Sequence, residues 1–133
     1  MKNHFGIDTS ILVRLMTGDP AKDFARTVKA LENLIEKHPG AGILASNQVI
    51  GEAYVAVRHH YGISKADARA ALLSVLSSGL VAPLNGPAVL VAIRQTEGCG
   101  LLDRLIVDDY SKHGMKTLTH DRKMGVLSDA IRL

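Results

Sequence analysis

Apolar residues recur along this chain in two alternating rhythms. Phe24, Val28, Leu31 and Ile35 fall three or four positions apart, which places them on one face of a helix. Ile50, Tyr54, Val57 and Tyr61 make a second such stripe over Asn47 to Tyr61, closed by Gly62. Leu72, Val75 and Leu76 make a third, behind Ser64-Lys65-Ala66-Asp67, an acidic variant of the capping box. Ile11 to Met16 reads as the start of another helix. Asp19-Pro20 reads as the head of the Phe24 helix, with Asp capping and Pro first, and His38-Pro39-Gly40 ends it. Pro87 to Thr96 is helical until Cys99-Gly100, and Leu101 to His113 until Gly114. Between the helices stand short apolar runs without that spacing: His4 to Ile7, Gly42 to Ser46, Leu80 to Pro83, Lys116 to Thr119 and Ala130 to Leu133. These predict short strands. Strands alternating with helices predict an α/β fold, one domain over residues 1–133, with a short parallel sheet flanked by helices.

Composition narrows the function classes. The chain has no Trp, three Tyr and two Phe, so the core rests on Leu, Ile, Val and Ala. Little material remains for stacking on nucleic-acid bases, which weakens a pure binding-module reading. The net charge is +3 with a pI near 9.2, compatible with a polyanionic partner without demanding one. Cys99 is the single cysteine, so no intrachain disulfide can form. The longest unbroken apolar run, Ala88 to Ile93, is far too short to span a bilayer. The start of the chain lacks the apolar stretch of a signal peptide, so a cytoplasmic location is the expectation.

The acids carry the chemistry. In open parallel sheets, ligands bind beyond the carboxyl ends of the strands. Asp8 directly follows the first strand candidate, and Asp121 lies two residues past the strand ending at Thr119. Glu52 sits in the helix after Gly42–Ser46, and Asp103 in the first turn of the helix starting at Leu101. Each could face one rim. Carboxylates from several segments suit hard divalent cations, and two such ions stabilise both the attacking and leaving oxygens of a phosphodiester. Each acid alone has an ordinary reading as a helix cap or solvated residue. Asp108 and Asp109 fit either a solvated face or the edge of the site. If the four acids converge, like-charge repulsion should raise at least one carboxyl pKa. Asp103→Asn would then raise the melting temperature of the metal-free protein.

Other chemistries find less apparatus. No CxxC or HxxxH is present, and adjacent His59 and His60 point in different directions on a helix. Neither glycine-rich phosphate loop occurs, nor a GxSxG elbow. A phosphoacceptor signalling domain would want adjacent acids early in the chain, and that pair is missing.

Asp8-Thr9-Ser10, then Val49-Ile50-Gly51-Glu52-Ala53-Tyr54, then Leu102-Asp103-Arg104-Leu105-Ile106, then Thr117-Leu118-Thr119-His120-Asp121-Arg122 resembles a PIN domain. More narrowly it is similar to the VapC-type toxins of bacterial toxin–antitoxin pairs. The resemblance implies an acidic quartet of Asp8, Glu52, Asp103 and Asp121, supporting hydroxyls at Ser10 and Thr119, and Mg²⁺ or Mn²⁺ as cofactor. It implies endonucleolytic cleavage of RNA, a homodimer, and a small antitoxin that wraps the toxin and blocks its site. Where the family continues the helix after Asp103 with small apolar residues, this chain reads Val107-Asp108-Asp109-Tyr110. Arg104, Arg122 and Lys123 are the candidates for contact with RNA phosphates. The rival readings are a PIN-type RNA-processing nuclease without antitoxin and a non-catalytic signalling or binding domain.

Overall fold

A computed structural model describes residues 3–133. The first strand, β1 (Phe5–Gly6), is followed by Asp8, whose carboxylate caps α1 (Thr9–Thr17) by accepting from the Ile11 N–H at 3.2 Å. Helix α2 (Ala21–Lys37) follows, and its start corrects the expectation from sequence. Pro20 stands one position outside the helix in extended backbone and no side chain caps it, so Asp19 is no cap. Strand β2 (Ile43–Ala45) leads into α3 (Asn47–His60), capped by Ser46. Helix α4 (Lys65–Leu76) is capped by Ser64, which accepts from the Asp67 N–H. Then come β3 (Ala82–Pro83), α5 (Ala88–Arg94), α6 (Leu101–Lys112), β4 (Thr117–Thr119), a single 3-10 turn at Met124–Val126, and β5 (Ala130–Arg132).

All described strand pairs are parallel, as alternation with helices requires. They form two pieces rather than one sheet. Strands β1, β2 and β3 make the first with β2 central, and β4 pairs only with β5 in the second. Two cores accompany the two pieces. The larger gathers Leu12, Ile43, Ile50, Val57, Leu72, Val81, Ile93 and Leu101, all essentially shielded from solvent. The smaller is Cys99, Val107 and Met124, with Leu127 and Ala130 against it. Helix α6 straddles them, since Leu101 and Leu105 belong to the first core and Val107 to the second.

A polar link fixes α6 over the carboxyl ends of β2 and β3. The buried Asn47 amide, just past β2, donates to the Leu105 carbonyl and to Asp108 Oδ2, both at 2.9 Å. Asn85, just past β3, donates to Asp108 at 3.0 Å and to Asp109 at 2.7 Å. Asp108 and Asp109 thus tie a helix to strand ends. Close approach of α3 and α6 also depends on Gly51, where an added Cβ would lie 3.1 Å from Leu102 Cδ2. Asn47→Ala is expected to cost about 1–3 kcal/mol, because a buried carboxylate loses one of its donors. Urea unfolding reads this directly, and an unchanged midpoint would show that the Asn85 bonds alone hold α6 in place.

Candidate active site

The first pair of acids lies around the start of α1. Asp8 Oδ1 accepts from the Ser10 hydroxyl at 2.7 Å as well as from the Ile11 N–H. The Ser10 hydroxyl, followed by the Ile11 amide, holds the Asp8 carboxyl below the usual carboxylate range. Hydrogen-bond donors dominate at this acid, so the raised carboxyl expected from crowding is not Asp8. The sign follows directly. A lowered folded-state pKa contributes stability above the unfolded value, and that contribution is lost as pH falls through the folded one. Asp8 is therefore ionised across the neutral range. Thr9, its neighbour in the chain, donates its hydroxyl to Glu52 Oε1 at 2.7 Å. Gln48, one turn before Glu52 on α3, donates to Oε2 at 3.3 Å. Glu52 also borders an apolar groove of about 600 Å³ between α3 and α6, lined by Val55, Leu102, Leu105 and Ile106.

The second pair lies across Leu102. Asp103 and Asp121 line one cavity of about 680 Å³, and Leu102 borders both this cavity and the Glu52 groove. Asp103 stands in the first turn of α6, where the helix dipole favours a negative charge. Asp121 is positioned by its own turn. Thr119 Oγ1 accepts from the Asp121 N–H at 2.9 Å, and Asp121 Oδ1 accepts from the Met124 N–H at 2.7 Å, heading the 3-10 turn. Thr119 and Ser10 thus each support one acid of the set.

Glu52 and the Asp103–Asp121 pair thus border two adjoining spaces that share Leu102. One sheet rim was expected to gather all four acids; β4, which precedes Asp121, pairs with β5 and is not laddered to β1. Among the described residues, no group of three or more His, Cys, Asp or Glu is close enough to hold a metal ion. The donor set, all carboxylate oxygen, suits a hard divalent cation.

The basic residues distribute differently from expectation. Arg104 donates from Nη2 to the Glu97 carbonyl at 2.6 Å and from Nε to the Cys99 carbonyl at 3.4 Å. It braces the loop before α6, a role the sequence concealed because the acceptors are backbone atoms. Arg122 is exposed in the loop after β4. Lys123 does line the Asp103–Asp121 cavity, together with Arg58, Lys65 and Arg69, which the sequence reading missed. One signal was available. Arg58 follows Tyr54 by four positions, so it extends a helix flank that is mostly buried.

The model of the PIN domain family matches residues 6–129, nearly the whole chain. No curated protein and no solved structure matches it. No helix among the described residues is long and apolar enough to cross a membrane.

Proposed function

Because the chain belongs to the PIN-domain family, whose members are generally nucleases, we propose that it is a divalent-metal-dependent endoribonuclease, the toxin of a toxin–antitoxin pair. The observation that carries this reading is the shared cavity of Asp103 and Asp121. Two carboxylates there face four cationic side chains in a space large enough for a nucleotide phosphate. Acids beside cations suit a phosphodiester, whose charge must be held while a water is brought to the phosphorus.

In this reading Asp8, Glu52, Asp103 and Asp121 hold Mg²⁺ or Mn²⁺. A divalent cation bound to them would polarise a water and neutralise charge on the phosphate. The chain's own residues do the rest. Ser10 keeps Asp8 ionised and aimed. Thr9 and Gln48 fix the Glu52 carboxylate, and the Thr119 turn fixes Asp121.

The partners belong to the proposal as well. Val55, Leu102 and Ile106 are exposed around the groove beside Glu52, and exposed apolar surface of this kind favours a protein partner. A second copy of the chain and an antitoxin segment are the two occupants the reading includes.

The experiment is cleavage of defined single-stranded RNAs by the pure protein with Mn²⁺, Mg²⁺ or EDTA. Internal cuts that need metal are expected, and intact RNA in every metal would overturn the nuclease reading. Expression of the chain alone is expected to arrest growth, with relief by Asp8→Asn. Harmless expression of an active enzyme would favour an RNA-processing nuclease without antitoxin.

A further inference from the structure

We infer that the cavity beside Asp103 and Asp121 contains a phosphate subsite, built by Arg58, Lys65 and Lys123, that grips the backbone of single-stranded RNA next to the cleaved bond. The choice of polymer rests on the nuclease reading. The charge and geometry stand apart from it.

Three elements bring four cations to this one space. Arg58 comes from the end of α3, Lys65 and Arg69 from the first two turns of α4, and Lys123 from the loop after β4. Against them stand two carboxylates, Asp103 and Asp121. None of the four cations forms an ion pair with an acid among the described residues. Converging like charges from separate elements cost free energy unless an anion joins them.

Arg58 supplies the second observation. Its Nε is buried and has no hydrogen-bond partner among the described residues. A buried charged donor left unpaired is costly, so a partner belongs there. Guanidinium nitrogens match two phosphate oxygens at once, which a lysine cannot do. Arg69 is different. It donates to the carbonyls of Ile93 at 2.6 Å and Gln95 at 2.8 Å, so it holds the end of α5 and forms a fixed wall of the cavity.

The start of α6 adds weaker help. Gly100 caps it without a side chain, so the first N–H groups of the helix lack a side-chain acceptor, and Gly100 and Leu101 border the cavity. A phosphate there meets unsatisfied N–H groups and the positive end of the helix dipole. Asp103 and Asp121, which would hold the metal, thus line the same cavity as the cations for a neighbouring phosphate.

The test is binding of a labelled single-stranded RNA of about ten nucleotides in EDTA, from about 50 to 300 mM salt, by fluorescence anisotropy. Arg58→Gln and Lys65→Gln are each expected to raise Kd by roughly tenfold and to flatten the salt slope by about 0.7, as for one lost phosphate contact on a single strand. Lys29→Gln, on exposed α2 away from the cavity, should change neither. Arg58→Lys should recover the slope but not the full affinity, because it restores charge without the Nε donor. Lys65 is exposed, so its variant carries the test even if Arg58→Gln folds poorly.

Wild-type Kd and slope in both Gln variants would overturn the inference, and so would a protein that binds no RNA in EDTA. RNA that is cleaved in Mn²⁺ while both variants bind it normally ends this proposal and leaves the nuclease reading intact. RNA bound through Arg58 and Lys65 but cut in no metal does the reverse.

Discussion

Asp103→Asn is expected to lower metal-dependent RNA cleavage by more than about a hundredfold, roughly 2.7 kcal/mol of barrier, while the protein stays folded. The substitution keeps the shape and removes the charge. Asp103 is half-buried in the first turn of α6 and shares its cavity with Asp121. The structure also reverses one expectation about this variant. Relief of acid crowding would have raised the metal-free melting temperature. Four cations border the same cavity, and the α6 dipole favours the carboxylate, so its loss should instead cost about 0.3–1 kcal/mol. Melting curves in EDTA and in Mn²⁺ complete the test. Saturating metal stabilises a folded site by about 2.7 kcal/mol at a hundredfold excess over its dissociation constant. That gain should shrink in the variant if Asp103 is a ligand. Equal Mn²⁺ gains together with wild-type cleavage would remove Asp103 from the site.

Ile50→Ala is expected to destabilise the fold by about 2–5 kcal/mol, the range for emptying a well-packed aliphatic site. Ile50 is fully shielded on the face of α3 that meets the large core, two residues before Glu52. At this chain length that loss lowers the melting temperature by roughly 10–20 °C. Below the new transition, cleavage should persist, because Thr9 and Gln48 hold Glu52 from outside the core. The two variants therefore separate: one loses chemistry with little stability, the other loses stability first. A loss smaller than about 1 kcal/mol would mean that α3 repacks freely against its neighbours.

Much of this was legible without coordinates. The stripes Phe24-Val28-Leu31-Ile35 and Ile50-Tyr54-Val57 became the inner faces of α2 and α3, since helical spacing alone decides which residues share a face. Ser64 caps α4 as its motif predicts, whereas Ser46, read as the end of a strand, caps α3. Tyr61 ended the second stripe on paper and lies half exposed just past α3. Its periodicity was correct, but the helix stops before it. Asp19 failed as a cap for a similar reason, since α2 begins one residue later than the Pro signal implies.

By itself, then, the sequence determined the elements, their order, the α/β class and where along those elements the four acids fall, because each of these is set by neighbours within about two helical turns. Only the tertiary structure decided how those ends meet. Strands of two or three residues carry too few ladder bonds to impose a sheet, so whether β4 pairs with β1 or β5 depends on packing across the whole chain. Side-chain partners were equally hidden. Arg104 meets backbone carbonyls, Asp108 meets asparagines 61 and 23 positions away, and the buried Nε of Arg58 meets no partner among the described residues. Contacts at such sequence separations leave no periodic trace, because only the folded chain brings the partners within reach of one another.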